Sequence, residues 1–533
     1  MKQRMSEPLQ LFTEAIALQN EGRFEEAIAK YDEFLLGYVG SAQMHTNRGL
    51  ALFELGRTGE AIAAYREAVL ADADYFDAHY SMGRALFLER RYPEATVSFD
   101  HAITLVPSHD AYVSRGAALF EMQAYDAALL DYDQALLLEP RSAKAYMNKG
   151  FVFYELERLD EALACYEQAL ALQPGHHGTE WNVALCLLRA GDFKRGWPYY
   201  ERRLQGSLSQ PLDMAEYDKP RFLGEGSLAG KTILLWSEQG NGDVLQFCRY
   251  AYQPLQMGAQ VILAVYPSLL RLIETSFAGT GIRVILGGKF GLSEFDFHTP
   301  LMSLPLAFGT NSLEKIPANT PYLFAVPEDV VVWQKRIESE VIASPQAVHV
   351  KGSSKAMRVG LVWAGGHRPD EYAAQKADAL RSLCLEEFAP LLALSQTMGI
   401  LFFSLQLGEA AKQLQTPPKE NFSLDHSQQG LPIIDLTADL HDWADTAALV
   451  ANLDLVISCD TAVAHLAAAM GKPTWILSRF NGCWRWLQDR DDSPWYPTVR
   501  LFRQKTRGDW ATVIDEVVAA LQGQAKLKEV AHE

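Results

Sequence analysis

The stretch 453–470, LDLVISCDTAVAHLAAAM, decides the fold of the C-terminal part of the chain. Its β-branched beginning, Leu453 to Ser458, predicts a buried strand, and the run from Thr461 to Met470 has the period of a helix. A buried strand that leads directly into a helix is typical of parallel sheets covered by helices. The sequence therefore predicts an α/β fold for this region, with Cys459 and Asp460 in the turn.

This turn and the helix after it carry the polar side chains of the stretch. Asp460 is predicted to be the N-cap, because its carboxylate can accept free N–H groups of the first helical turn. Thr461 and His465 lie one turn apart, on the face opposite Val463 and Leu466. Since the helix has no ionisable side chain besides His465, we expect a ligand or another domain to cover this face. The dipole, hydroxyl and imidazole suit a phosphate-bearing ligand; the alternative is an ordinary N-cap aspartate with a hydrogen-bonded histidine.

The composition indicates a soluble globular protein of roughly two to four domains. Of 533 residues, 48% are hydrophobic and 21% charged, and the formal net charge is −18, with acidic residues spread along the chain. This charge argues against sequence-independent nucleic-acid binding, which needs a basic face. The chain has no run of about 18 apolar residues and no apolar signal core at its start, so we expect a cytoplasmic protein without a membrane span. The six cysteines form no CxxC pair and are predicted to be reduced thiols.

Residues 1–205 repeat with a period of 33 or 34 residues, seen in Ala27, Ala61, Ala95, Ala128, Ala162 and Gly196. A small residue stands twelve positions before each of these, and an aromatic residue four positions after, as in Gly49, Ala61 and Tyr65. The pattern resembles the tetratricopeptide repeat, in six units. Small residues let paired helices approach closely, and the aromatic residue fills the gap to the next unit. The resemblance implies an α-solenoid whose groove holds peptides or partner proteins; the alternative is a spacer or an oligomerisation arm.

The pattern changes after residue 205. Residues 206–230 are rich in Gly, Ser and Pro and are predicted to be a linker. Strand-like and helical runs then alternate over residues 231–343 and again over residues 357–522. Such alternation predicts two Rossmann-like halves, each with a parallel sheet. Two halves of this kind form a cleft, and ligands are expected at the carboxyl ends of its strands.

One loop of the first half would face this cleft. It follows the predicted strand TILLWSE and holds Gly240, Gly242 and Asp243. The two glycines permit close backbone approach, and Asp243 stands at the start of a helix. From the loop alone, Asp243 could equally be a simple N-cap.

Three loops of the second half would face the cleft from the other side. One is Trp363–His367, which has small residues after a strand, Gly365 among them. Another is Arg381–Ser382, predicted to lie just ahead of a helix at Leu385 and to clamp a phosphate. The last is the Asp460 segment.

The segment ISCDTAVAHLAAAMGKP resembles the donor-binding motif of the ADP-heptose:lipopolysaccharide heptosyltransferases, which have the two-domain GT-B fold. Asp460, Thr461 and His465 match the Asp-Thr-x-x-x-His element of that motif. The resemblance implies that these residues contact a nucleotide diphosphate. It extends over roughly residues 231 to 515.

Two further positions are similar to that family. Gly242-Asp243 matches a Gly-Asp whose aspartate is the family's proposed general base. Arg381 aligns with a lysine that binds phosphate there. The positive charge is kept, and the identity of the sugar nucleotide is left open.

The whole chain also resembles a larger bacterial group, tetratricopeptide proteins with a glycosyltransferase family 9-like domain, through the segment WRWLQDRDDSPWYPTVRLFRQ. Its order of domains is similar to that of the O-GlcNAc transferases. The aromatic residues Trp484, Trp486, Trp495 and Tyr496 could stack on a base or sugar, or could form a tryptophan-rich core. Asp491 and Asp492 are predicted to be solvated rather than metal-bound.

The sequence thus predicts a tetratricopeptide solenoid followed by a GT-B domain that transfers a sugar, with inversion and without a metal ion or cofactor, from a nucleotide diphosphate. The acceptor would be a glycan, lipid-linked or protein hydroxyl, with the solenoid binding the acceptor or a partner. Asp243 would be the base, and the donor would contact Gly240, Gly242, Gly365, Arg381, Asp460, Thr461, Ala462 and His465. The alternative is a non-catalytic scaffold whose GT-B part only binds a sugar nucleotide or mediates assembly. Homo-oligomerisation is left open.

Overall fold

The computed structural model describes residues 6–38, 40–205, 217, 219–287, 294–343, 356–366, 372–415 and 431–530. It contains two compact units, Met1–Asn182 and Val183–Glu533. Residues 206–216 and 218 of the predicted linker, most of the break at 343–356, and His367 lie outside the described residues. In the part of the chain that is described, no helix has the length and apolar character of a membrane span.

The first unit is built from antiparallel helix pairs of the predicted repeats. Successive helices contact each other along the chain, from α1 to α10. The helices through the sixth repeat are α1 Ser6–Asn20, α2 Phe24–Gly37, α3 Ala42–Glu54, α4 Thr58–Ala71, α5 Phe76–Leu88, α6 Tyr92–Leu105, α7 His109–Glu121, α8 Tyr125–Leu138, α9 Ala143–Glu155, α10 Leu159–Leu172, α11 His177–Arg189 and α12 Phe193–Tyr200.

Glycine and aromatic residues of one repeat pack directly on each other. A Cβ at Gly83 would lie 2.6 Å from the ring of Phe99, and one at Gly116 would lie 2.8 Å from the ring of Tyr132. No side chain fits at these glycine positions, because the aromatic ring of the second helix fills that space. This contact explains why a small residue and an aromatic residue recur together in the sequence.

The division between the units falls inside α11, so the last helix pair packs with the α/β region. Phe193, Trp197 and Tyr200 of α12 are buried. Trp197 meets Trp484 edge-on, with ring centroids 5.4 Å apart, and its indole N–H donates to the Thr310 carbonyl at 2.8 Å. The second helix of the sixth repeat, α12, is therefore part of the second unit's core.

The first sheet of the second unit has four parallel strands in the order β3-β2-β1-β4. Its strands each pair in parallel with their neighbours. The elements are β1 Thr232–Trp236, α13 Asn241–Phe247, α14 Tyr252–Gln256, β2 Gln260–Val265, α15 Leu270–Phe277, β3 Ile282–Leu286, β4 Phe297–Pro300, α16 Leu304–Ala307 and α17 Pro327–Ala343.

The second sheet has six parallel strands in the order β7-β6-β5-β8-β9-β10. Counted within this half, the order is 3-2-1-4-5-6, that of a dinucleotide-binding Rossmann sheet. The elements are β5 Met357–Val362, α18 Tyr372–Arg381, α19 Ala389–Leu392, α20 Leu394–Met398, β6 Ile400–Ser404, β7 Ile433–Asp435, α21 Trp443–Ala451, β8 Leu455–Cys459, α22 Ala462–Ala469, β9 Thr474–Ser478, β10 Val499–Arg503 and α23 Trp510–Val530. The predicted fold class, a helical solenoid followed by an α/β region of the GT-B kind, is confirmed.

One helix crosses from the first half to the second. Trp333 and Ile337 of α17 are buried in the same cluster as Phe403 and Leu449 of the second half. The predicted first half, residues 231–343, therefore ends in a helix that packs on the second sheet.

Candidate functional site

Each sheet has a point where the strand order reverses, and the candidate loops lie at these points. In the first sheet it lies between β1 and β4; in the second it lies between β5 and β8. The Gly240 loop follows β1, the Gly365 loop follows β5, and the Asp460 segment follows β8. In open parallel sheets ligands bind at such reversal points, outside the carboxyl ends of the strands.

Helix α22 begins one residue later than predicted, and Asp460 is not its N-cap. The N-cap is Thr461, and no side chain caps α22 in the described part of the chain. The Thr461 hydroxyl instead pairs with the Ser458 hydroxyl at 2.8 Å. Asp and Thr are both good N-caps, so the sequence preference alone does not separate adjacent positions. Within the described ranges, the α22 N-terminus thus keeps first-turn N–H groups without a side-chain acceptor.

His465, one turn into α22, is buried between the two halves. Its Nδ1 is 3.0 Å from the Tyr496 hydroxyl, and its ring stacks on Trp486 with centroids 5.3 Å apart. Burial lowers the pKa of His465 to about 3, although Asp460 acts to raise it. The imidazole is therefore neutral near pH 7. It has a protein partner, as the alternative interpretation of the motif expected.

The first half touches α22 at Gly242. A Cβ at this position would lie 3.2 Å from Cδ2 of His465 and 3.3 Å from Cα of Ala462. Glycine permits this close approach of α13 and α22, since a Cβ here would force a neighbour to shift by a few tenths of an ångström. The structure thus brings together Gly242, Ala462 and His465.

Asp243 is the third residue of α13 and has two partners. Its Oδ2 accepts the N–H of Gly240 at 2.9 Å, so it caps the helix start. Its Oδ1 accepts from Nη2 of Arg485, in the second half. Arg485 is a residue of the candidate site that was not predicted from the sequence, although it lies in the tryptophan-rich segment at Trp484 to Gln504.

Arg381 is the last residue of α18, not a loop residue ahead of a helix as predicted; Leu385–Phe388 is only a short 3₁₀ turn. Its Nη1 donates to the Asp460 carbonyl at 2.7 Å, and its Nη2 pairs with Asp378. A Cβ at Gly365 would lie 2.9 Å from its Nε. Burial acts to lower the pKa of Arg381, but Asp460 and Asp378 outweigh it, so the pKa is raised. Arg381 ties the loops after β5 and β8 together; its role as a phosphate clamp stays a prediction.

The four aromatic residues of the late segment, Trp484, Trp486, Trp495 and Tyr496, are all buried. They pack on one another and on His465. They therefore form a tryptophan-rich core, which was the alternative to stacking on a base or sugar. No group of three or more His, Cys, Asp or Glu in the described ranges could hold a metal ion.

Comparison with known families gives two kinds of match. Tetratricopeptide families match residues 12–75, 46–110, 116–157 and 143–176. Glycosyltransferase family 9 (heptosyltransferase) matches residues 414–477. The chain thus carries tetratricopeptide repeats and a segment similar to glycosyltransferase family 9. The matched segment holds Asp460, Thr461, Ala462 and His465, whereas Asp243 and Arg381 lie outside it.

Among curated proteins, the chain is similar to FlbA of Caulobacter vibrioides. The two are 28% identical over 363 residues, which is 64% of this chain and 54% of FlbA. The chain therefore spans about half the length of this relative.

Solved structures match about a third of the chain. The crystal structure of MamA is 24% identical and covers 30% of this chain and 94% of its own, with a TM-score of 0.29. YrrB, described as a TPR protein with an unusual peptide-binding site, is 19% identical and covers 33% of this chain and 91% of its own, with a TM-score of 0.30.

Proposed function

We propose that the chain is an inverting glycosyltransferase that moves a sugar from a nucleotide diphosphate to an acceptor hydroxyl. The observation that supports this proposal is that three features of the chain occur at the same place. The segment that matches glycosyltransferase family 9 contains the uncapped N-terminus of α22, beside the strand-order reversal between β5 and β8. A helix N-terminus attracts an anion through its free N–H groups and its dipole.

The donor's diphosphate would lie against α22. The N–H groups at Ala462 and Val463, with the Arg381 guanidinium nearby, would stabilise the charge that grows on the leaving diphosphate. The neutral imidazole of His465 can act there only as an uncharged hydrogen-bonding group, because its pKa is about 3. Positive charge comes from arginine and the helix, so this scheme calls for no metal ion.

Asp243 would act as the general base. The acceptor O–H loses its proton to the carboxylate while the acceptor oxygen attacks the anomeric carbon. The bond from that carbon to the diphosphate oxygen breaks, and its electron pair leaves with the nucleotide diphosphate. Attack opposite the leaving group inverts the configuration. Asp243 is suited to this step because it lies on α13, which packs against α22 through Gly242.

The repeat array would bind the acceptor or a partner protein. It contains a cavity of about 290 Å³, formed mostly by the first helices of four successive repeats. Its lining combines apolar side chains with two cations; the residues are Phe53, Arg84, Phe87, Leu88, Phe99, Val113, Ser114, Ala117 and Lys144. A cavity of this size can hold about one large side chain of a bound chain.

The second candidate function is a non-catalytic scaffold that only binds a sugar nucleotide. The observation that favours it is the engagement of the key side chains with protein partners: Asp243 with Arg485, and Arg381 with Asp378. Binding without turnover is its signature.

Two measurements test the proposal. Thermal-shift screening against ADP-, GDP-, UDP- and CMP-linked sugars should show stabilisation by one diphosphate sugar, and a ligand at 100 times its Kd adds about 2.7 kcal/mol. CMP-sugars, which carry a single phosphate, serve as the contrast. Release of free nucleotide diphosphate should then be followed with the stabilising sugar nucleotide. Binding without release supports the scaffold, and no binding at all contradicts both candidates.

A further inference from the structure

Arg485 reaches from the second half to the first and is almost fully enclosed. Its Nη2 pairs with Asp243, and its Nε donates to Oε1 of Gln246 at 2.7 Å. Its Nη1 lies 3.2 Å from Sγ of Cys483. Gln246 is itself completely buried. Every nitrogen of the guanidinium thus has a protein partner, and two of these partners, Asp243 and Gln246, belong to α13.

The plane of this guanidinium is also held. Its central carbon lies 4.5 Å from the centroid of the Trp484 ring, a cation–π contact. Trp484 is in turn fixed by edge contacts with Trp197 and Tyr200 of α12. Arg485 is therefore held in a single defined position, and its contact with Asp243 fixes the orientation of that carboxylate.

We propose that Arg485 is a positioning residue for Asp243 that links proton uptake to departure of the diphosphate. This inference rests on the glycosyl transfer proposed above. Before the reaction Asp243 is a carboxylate and neutralises Arg485. When the acceptor proton moves to Asp243, the charge of Arg485 becomes unbalanced. In the same step the diphosphate gains a negative charge. The unbalanced positive charge of Arg485 and the negative charge of the leaving group therefore increase together.

The geometry leaves room for the acceptor. One lone pair of Oδ2 takes the Gly240 N–H, and one lone pair of Oδ1 takes the Arg485 Nη2–H. A carboxylate oxygen can accept a second hydrogen bond. The acceptor hydroxyl can thus approach Asp243 without breaking either contact, whereas loss of Arg485 would free the carboxylate to rotate.

The test uses the full chain with the sugar nucleotide that the screen identifies. Arg485→Met should lower kcat by about 100-fold or more, the scale of a general-base contribution, and leave the donor KM within about threefold. Arg485→Lys should have a higher kcat than Arg485→Met, because lysine restores the positive charge although it lacks the planar, forked guanidinium. Added guanidinium should partly rescue Arg485→Ala. Arg490→Met, an arginine of the same segment that pairs with Asp492, is the matched control and should keep full activity.

A double variant separates positioning from donor binding. If Arg485 acts through Asp243, then Asp243→Asn with Arg485→Met should be no slower than Asp243→Asn alone. Losses that multiply, or a raised donor KM with unchanged kcat, would overturn the inference. If Arg485→Met fails to fold, Arg485→Lys provides the test. A wild-type kcat in this variant, which lacks the planar guanidinium, would also overturn the inference. A wild-type protein without turnover on any donor refutes the proposed function itself, whereas an active wild type with an equally active Arg485→Met refutes this inference alone.

Discussion

Arg203 and Glu238 form a buried, two-pronged ion pair, with Nε to Oε2 at 2.9 Å and Nη2 to Oε1 at 2.6 Å. Arg203 lies in the turn that directly follows the sixth repeat, and Glu238 lies in the loop after β1. Burial raises the pKa of Glu238, while Arg203 acts in the opposite direction. The end of the repeat array thus supports the same loop that carries Gly240.

Replacing Arg203 with Met should destabilise the second unit strongly. The change would leave Glu238 buried without its cation, and breaking a buried pair in this way costs about 3–5 kcal/mol. Arg202→Met, a change at the neighbouring and more exposed arginine, is the control. Urea denaturation should show the large loss only for Arg203→Met. Equal stabilities of the two variants would mean that the pair contributes nothing to the fold.

The same packing predicts where the chain can be cut. A fragment from His177 retains α11, α12 and Arg203, and should fold and bind the sugar nucleotide. A fragment from Leu228, at the end of the predicted linker, would uncover Trp484 and leave Glu238 unpaired. It should therefore aggregate or lose its near-UV circular dichroism. A well-folded fragment from Leu228 would contradict this account of the last repeat.

Much of the fold could be predicted because it depends on local patterns. The repeat pairs such as Gly83 and Phe99 leave a signal every 33 or 34 residues. The strands QVILAV and PTWILS are β-branched runs, found at β2 and β9. Strand β4, with the sequence FHTP, could not be predicted in this way, since four residues ending in proline carry almost no strand signal.

The site was less predictable because its key contacts are not local. Asp243 and Arg485 are 242 residues apart, and no periodic pattern relates them. Arg381 ends a helix that has little apolar periodicity, so that its helical context could not be recognised. The aspartate, threonine and histidine of the α22 motif could be singled out from the sequence, since a strand followed directly by an uncharged helix is a local feature; their role in donor binding stays a prediction.

Gly365→Ala should weaken donor binding. Its new Cβ would stand 2.9 Å from Nε of Arg381, so the guanidinium that ties the loops together must move. We expect an affinity loss of about 1–3 kcal/mol, the usual worth of a charge-assisted contact. Gly366→Ala is the matched control, because a Cβ at this exposed neighbour meets nothing within 4 Å. Calorimetry with the same sugar nucleotide compares the two; equal affinities would remove Arg381 from the donor site.

His465 should make stability depend on pH. Its folded-state pKa is about 3, against about 6.5 in an unfolded chain. Between these values the unfolded chain binds a proton that the folded protein does not. The contribution of the neutral imidazole to the free energy of unfolding is therefore complete above pH 6.5. It is lost as the pH falls toward 3, and the loss amounts to about 1.4 kcal/mol by pH 5.5.

Urea denaturation at pH 7.5 and 5.5 checks this directly. His465→Gln lacks the titrating group, so wild type should lose about 1.4 kcal/mol more than the variant between these pH values. His441→Gln, a change at an exposed histidine, is the control for general effects of removing a histidine. Parallel losses in wild type and His465→Gln would show that the imidazole is not held neutral.

Asp243→Asn is the sharpest test of the proposed chemistry. The amide keeps the size of the side chain, and its oxygen can still accept the Gly240 N–H, so the start of α13 should persist. The group can no longer take a proton from the acceptor. We therefore expect kcat to fall by about 10²–10⁴, with donor affinity nearly unchanged.

Asp491→Asn, in a loop remote from α13 in sequence, controls for loss of an acidic residue. Melting temperatures must be compared, because Arg485 loses its counter-charge in the variant. If a folded Asp243→Asn protein turns over at the wild-type rate, Asp243 is only the cap of α13 and another group takes the proton.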